Sequence, residues 1–96
     1  MMILANGAKP ILAFKNMDPG PGMRDACGLV MAHRGVNRTQ WVVWDMAKDE
    51  GDEAWECQNG DYFDSRQEAE YMFGLRLARY HLSDRSVRGA QSAVVE

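Results

Sequence analysis

The order of apolar and polar positions marks out a series of short strands followed by one long helix. Met2 to Ala5 is a short apolar run, closed by Asn6-Gly7, a dipeptide that suits a tight hairpin turn. Ile11 to Lys15 reads as a strand, with Pro10 at its start, where a missing amide donor does least harm. Asn16 to Arg24 contains Asp18-Pro19-Gly20-Pro21-Gly22 and reads as a loop. Cys27 to Arg34 is apolar with few breakers; as a strand it sets Cys27, Leu29, Met31 and His33 on one face. Gly35 to Arg38 reads as a turn. Thr39 to Ala47 carries the strongest strand signal, through Trp41, Val42, Val43 and Trp44. Alternation sends Val42, Trp44 and Met46 one way and Trp41, Val43 and Asp45 the other.

Lys48 to Glu53 is charged, contains Gly51, and reads as a hairpin tip. Ala54 to Gln58 returns as a strand with Trp55 and Cys57 on one face. Asn59-Gly60 is expected to turn the chain before Tyr62-Phe63. Ser65 to Leu82 then predicts a helix. Ser65-Arg66-Gln67-Glu68 fits a capping box, and Ala69, Met72, Phe73, Leu77 and Tyr80 recur at three- and four-residue steps as one apolar stripe. Arg76 and Arg79 lie where cations suit the helix dipole. Gly74 inside the helix costs about 1 kcal/mol against alanine and is read as a mark of close packing. Ser83 to Glu96 reads as a loose tail, with Val94-Val95 able to add a little edge strand. The prediction is one α+β domain over residues 1–82. It has an antiparallel sheet of three to five strands and one long C-terminal helix on one face.

Length and composition agree with this picture. Ninety-six residues support one domain. The apolar runs fall far short of the roughly 20 residues of a membrane span, and no basic stretch precedes an apolar one at the start, so the expected location is the cytoplasm. Two cysteines, Cys27 and Cys57, make no disulfide framework and are expected as small buried residues. The net charge of −3 conceals a polarised chain. Between Asp45 and Asp64 there are eight acids and a single base, Lys48, while the remainder is net basic.

Candidate chemistry is sparse. Neither His33 nor His81 sits in a catalytic motif. Cys27, His33, Cys57 and His81 contain no pair at zinc-knuckle spacing. Asp49, Glu50, Asp52 and Glu53 lack the alternating oxygens and closing glutamate of a helix–loop–helix calcium loop. No phosphate-cradling glycine loop or nucleophile elbow is present. The chain is therefore expected not to be an enzyme, and no metal or cofactor is expected. If Trp44 faces the helix, Trp41 falls on a sheet face that a single helix cannot cover unless the N-terminal strands fold over it, and exposed aromatic area beside charge is how binding hot spots look.

Two resemblances extend this reading. Gly60-Asp61-Tyr62-Phe63-Asp64-Ser65, leading into Glu68-Ala69, is similar to the strand-to-helix junction of plant AP2-type and phage-integrase arm-binding domains. Those domains read DNA with a three-stranded sheet backed by a helix, and the likeness covers roughly residues 40–80. They carry Arg and Lys on the reading strands, whereas this chain carries Asp45, Glu56 and four acids at the tip, which phosphate repels. As a short, acidic, tryptophan-bearing domain, the chain also resembles inhibitors made by phages and mobile elements, anti-CRISPR proteins among them. These block nucleic-acid-binding enzymes with an anionic surface.

The sequence thus points to a non-enzymatic inhibitor or regulator. It would dock on the basic groove of a nucleic-acid-binding protein through Trp41, Asp45, Asp49, Glu50, Asp52, Glu53 and Glu56. The alternative is a small DNA-binding regulator using Arg34, Arg38, Arg85 and Arg88. A homodimer through the Trp41 face is compatible with either, and no membrane partner is expected.

Overall fold

The computed structural model describes residues 1–35, 40–83 and 91–94. Five strands form one antiparallel sheet in the order β4-β3-β2-β1-β5. They are β1 (Lys9–Asn16), β2 (Ala26–His33), β3 (Trp41–Lys48), β4 (Glu56–Phe63) and β5 (Gln91–Val94). The first four run as a meander, each paired with the next. The helix α1 (Arg66–Ser83) then carries the chain across one face, and β5 pairs with β1 at the far edge. The expected α+β architecture is present, and among the described residues no helix is long and apolar enough to cross a membrane.

Both faces of the sheet are covered, which is why β2 and β3 read as nearly continuous apolar runs rather than strict alternations. Under the helix, Phe14, Leu29, Met31 and Val43 meet Ala69 and Phe73, with Met72, Leu77 and Tyr80 completing the expected stripe. On the other face Ala13, Val30, Val42, Trp44 and Met46 are covered by Met2, Leu4 and Trp55. The N-terminal segment is held there by backbone. Trp55 N–H donates to Ile3 C=O and Ala5 N–H donates to Trp55 C=O, both at 2.8 Å.

Trp44 therefore turns away from the helix, and Trp41 lies on the face that the helix covers. This corrects the expectation of an open face around Trp41. Alternation sorts residues into two sets, but it cannot say which set meets the helix when both are apolar.

Asn59-Gly60 is not a turn. The register slips between Val43 and Asp45, so that these two residues of β4 stand opposite Trp44 alone, as a β-bulge. Asn59 takes the left-handed conformation at φ 56°, which asparagine tolerates better than most residues. Gly60 leaves room for the Trp44 indole: a Cβ there would stand 2.6 Å from its Nε1. The bulge signal and the turn signal share the same residues, so the pattern alone does not separate them.

The tail supplies a short edge strand, as expected, although at Gln91–Val94 rather than at Val94-Val95. One further expectation changes. Gly74 is exposed, and a Cβ there would meet nothing within 4 Å, so it does not mark close packing within the chain. The cap is present: Glu68 N–H donates to Ser65 Oγ (3.2 Å), while the Ser65 hydroxyl donates to the Glu68 carboxylate (3.0 Å). Glu68 thus closes the box through the serine hydroxyl.

Candidate functional site

The acidic segment is gathered at one end of the sheet by two loops. In the β3–β4 hairpin, Asp52 N–H donates to Asp49 C=O (3.1 Å), Asp49 N–H donates to the Asp52 carboxylate (3.0 Å), and Gly51 supplies the positive φ of 93° that closes the turn. The β1–β2 loop packs beside it. Its Arg24 reaches the Asp49 carboxylate at 2.9 Å, Glu56 at 3.0 Å and Asp52 at 3.8 Å. Its Asp25 carboxylate accepts the Glu50 N–H at 2.6 Å.

Hydrogen bonding to Arg24 holds the Asp49 carboxyl below its ordinary value, and the same contacts with Asp49 and Glu56 raise the Arg24 guanidinium above its own. Because the Asp49 value is lowered on folding, its contribution is present above the ordinary carboxylate range and is lost as pH falls through the lowered value. The pair is exposed, so that contribution is small.

Asp49, Asp52 and Glu56 thus surround Arg24, and with Asp25, Glu50 and Glu53 on the same two loops acid stays in excess over Arg24 and Lys48. Among the described residues Glu50 and Glu53 take part in no ion pair. A cleft of about 300 Å³ opens between the two loops, lined by Met17, Asp25, Ala26, Lys48, Asp49, Glu50 and Gly51. Met17 is 53 % exposed, and Met23 on the same loop is 58 % exposed. Apolar, flexible side chains beside fixed carboxylates can take the aliphatic stem and charged head of a lysine or arginine.

Two predicted site residues lie elsewhere. Asp45 belongs to a second network, in which Arg76 of the helix reaches down to the bulge. The Arg76 guanidinium donates to the carbonyls of Val43 (3.0 Å) and Asn59 (2.9 Å), to Asp61 (3.2 Å), and to Asp45. The bulge displaces carbonyls from the ladder, and Arg76, only 12 % exposed, satisfies them. Asp45 also accepts Asn59 Nδ2 at 2.8 Å. Arg76 is thus an anchor between helix and sheet rather than a cation placed for the dipole.

Trp41 sits at the opposite end of β3 from the tip, roughly 23 Å away at about 3.3 Å per residue. It is half-buried, with the His33 ring at 4.4 Å and the Arg66 guanidinium at 5.7 Å. The structure brings Asp49, Glu50, Asp52, Glu53 and Glu56 together and leaves Trp41 and Asp45 out. Sequence reasoning missed Arg24, Asp25 and Met17, which reach the tip only because β1–β2 and β3–β4 turn at the same end of the sheet.

Cys27 and Cys57 face opposite sides of the sheet. Cys27 Sγ lies 2.8 Å from the Tyr80 hydroxyl under the helix, while Cys57 packs on the other core. Both are free thiols. Burial pushes the Cys57 thiol from 9.0 up to about 11. The folded chain keeps a proton that the unfolded chain releases, so this group's contribution to stability is lost as pH rises from 9.0 to about 11. We expect Cys57 alkylation, followed by peptide mass spectrometry, to keep accelerating through pH 10. A plateau near pH 9 would contradict the burial. Among the described residues no three His, Cys, Asp or Glu side chains come together as a metal would require.

Arg34 of the alternative reading lies 5.6 Å over the Tyr62 ring; Arg38, Arg85 and Arg88 lie outside the described residues. No family model, no curated protein and no solved structure matches the chain.

Proposed function

We propose that this chain is a non-enzymatic inhibitor or regulator of a nucleic-acid-binding protein. It docks its hairpin tip into the partner's basic groove, in the manner of phage and mobile-element inhibitors of the anti-CRISPR type. The observation that carries this reading is the fixed acidic tip: carboxylates from two loops, braced by Arg24, with exposed Met17 beside them and exposed Met23 on the same loop. A basic groove selects negative charge held in place, since preorganised groups lose little on binding. Opposite charge raises the association rate, and the methionines lengthen the complex's lifetime. Two free cysteines that cannot reach each other across the sheet fit a reducing, cytoplasmic setting.

The docking residues in this reading are Asp49, Glu50, Asp52, Glu53 and Glu56, while Asp45 and Trp41 hold the fold. The cleanest variant is Glu50→Lys with Glu53→Lys, because neither carboxylate takes part in an ion pair among the described residues and the Arg24 brace survives. In a pull-down from nuclease-treated lysate, we expect the wild-type chain to retain a nucleic-acid-binding protein and the double variant to lose at least ten times its affinity with unchanged thermal stability. Equal capture by a folded double variant would refute the tip as the docking surface.

The alternative, a DNA-binding regulator, draws support from Arg34 stacked over exposed Tyr62 beside a cleft of about 360 Å³. Under that reading retention would vanish with nuclease, ignore the tip variant and fall steeply with salt.

A further inference from the structure

The cleft of about 360 Å³ on the Trp44 face of the sheet is lined by Asn6, Gly7, Ala8, Arg34, Trp44 and Tyr62, and shares no residue with the acidic tip or the Arg76 network. Separate contacts place each of its walls. Trp44 stands at 90° to Tyr62, ring centroids 6.2 Å apart, and so sets the orientation of the phenol ring. The Asn6 carboxamide is set by its own turn: Ala8 N–H donates to Asn6 Oδ1 at 3.0 Å, and Gly7 N–H donates to Leu4 C=O at 2.9 Å. Arg34 follows β2, where its N–H donates to Gln40 C=O at 2.8 Å, and its guanidinium stands 5.6 Å over the Tyr62 ring. Groups placed before a ligand arrives lower the cost of binding it.

The fold does not consume these groups. With the guanidinium over it, Tyr62 is still 48 % exposed. Among the described residues Arg34 takes part in no ion pair, Asn6 Nδ2 donates no hydrogen bond, and no acid lines the cleft. Asp61, beside Tyr62 in the chain, is held at 3.2 Å by Arg76 on the helix side. Lys9, in register with His33 at the same end of the sheet, is a further exposed cation. The cleft therefore favours an anion.

We infer that this cleft binds one nucleotide unit, with the base laid on Tyr62, the phosphate on Arg34 and an acceptor of the base edge on Asn6 Nδ2. Each group answers one part of that ligand. A phenol ring takes the π-face of any base, a guanidinium forks onto phosphate oxygens, and a carboxamide N–H meets the ring nitrogens and carbonyls of base edges. A bare phosphate or carboxylate would leave Tyr62 unused, and an uncharged ring would leave Arg34 unused. At the small end of the roughly 300–1,000 Å³ span of small-molecule sites, the cleft admits one such unit and not a duplex. Stacking tolerates any base, so little base preference is expected. One stacked ring and one guanidinium support a dissociation constant of roughly 0.1–1 mM. The site does not rest on docking of the tip, and it differs from the duplex-binding alternative because a single nucleotide suffices.

Titration of the full chain with adenosine monophosphate, followed by amide- and indole-resolved NMR, tests it. The Gly7 and Ala8 amides and the Trp44 indole are expected to shift together and to saturate by about 10 mM. Adenosine, lacking the phosphate, is expected to bind roughly tenfold more weakly. Arg34→Gln should reproduce that loss with an unchanged melting temperature, and a folded Tyr62→Leu should weaken both ligands. Glu50→Lys/Glu53→Lys should bind as the wild type does. A single-stranded hexanucleotide at equal nucleotide concentration separates the two sources of the unit: a strand binds more tightly than the mononucleotide if the unit arrives within nucleic acid, and no more tightly if it arrives free, and either result supports the site. The inference is overturned if adenosine monophosphate shifts none of these resonances by about 10 mM. It is overturned equally if adenosine binds as well as the monophosphate, or if Arg34→Gln binds as the wild type does. Each of these outcomes leaves the capture expected of the tip untouched.

Discussion

Gly28→Ala is expected to destabilise the domain by about 4 kcal/mol or more, a large share of the 5–15 kcal/mol typical of folded domains. Gly28 is buried in β2 and pairs with Lys15 of β1. A Cβ placed on it would stand 1.9 Å from the Phe14 carbonyl oxygen and 3.0 Å from the Phe14 carbonyl carbon. These are backbone atoms of the neighbouring strand, which cannot swing aside as a side chain would. To admit one methyl group β1 must separate from β2, and β1 also carries the pairing to β5 and places Phe14 in the core under the helix. Overpacking a close-packed interior usually costs about 1–3 kcal/mol, and loss of ladder hydrogen bonds adds to that. Urea unfolding at constant pH reads the effect as a fall in midpoint. A midpoint unchanged from wild type would mean that β1 and β2 do not approach as described.

The second large effect is expected at Arg76. Arg76→Ala is predicted to cost about 2–3 kcal/mol, below the roughly 3–5 kcal/mol for breaking a buried ion pair, because Asp45 and Asp61 are 38 % and 49 % exposed and can regain water. What cannot regain water as readily is the bulge, where the carbonyls of Val43 and Asn59 lose their donor. Arg76→Lys should recover less than half of the loss, since one ammonium cannot span four acceptors that the planar guanidinium reaches together. For a domain of this size the alanine variant should melt about 8–24 °C lower at roughly 4–8 °C per kcal/mol. If alanine and lysine variants both melt with the wild type, the anchor contributes nothing to stability.

These two sites also show where reading the chain succeeds and where it stops. The buried stripe of α1 and the Ser65 cap are local, repeating at three and four residues, and both are present as expected. The alternation in β2 and β3 is local as well, and its two residue sets are correct. The side of the sheet that meets the helix is a global matter. With apolar residues on both faces, Trp41 and Trp44 are interchangeable in the pattern, and only the packing of Met2, Leu4 and Trp55 over Trp44 decides between them.

Asn59-Gly60 carries the same chemistry in a turn and in a bulge, and its role follows from the register of β4 on β3. Arg24 and Arg76 find their carboxylates 15 to 32 residues away in sequence. Charge counting along the chain located the acids of the candidate site, but it could not show which of them the fold neutralises. That distinction leaves Glu50 and Glu53 as the acids to test, in place of the tip as a whole.

In the proposed reading the tip occupies the place of nucleic acid on its partner. Competition on the captured partner tests it most directly: a labelled nucleic acid is titrated against the immobilised complex at fixed salt. Binding is expected to be mutually exclusive, with the nucleic acid displacing the chain, and displacing Glu50→Lys/Glu53→Lys at lower concentration. A ternary complex, in which chain and nucleic acid sit on the partner together at saturation, would contradict it.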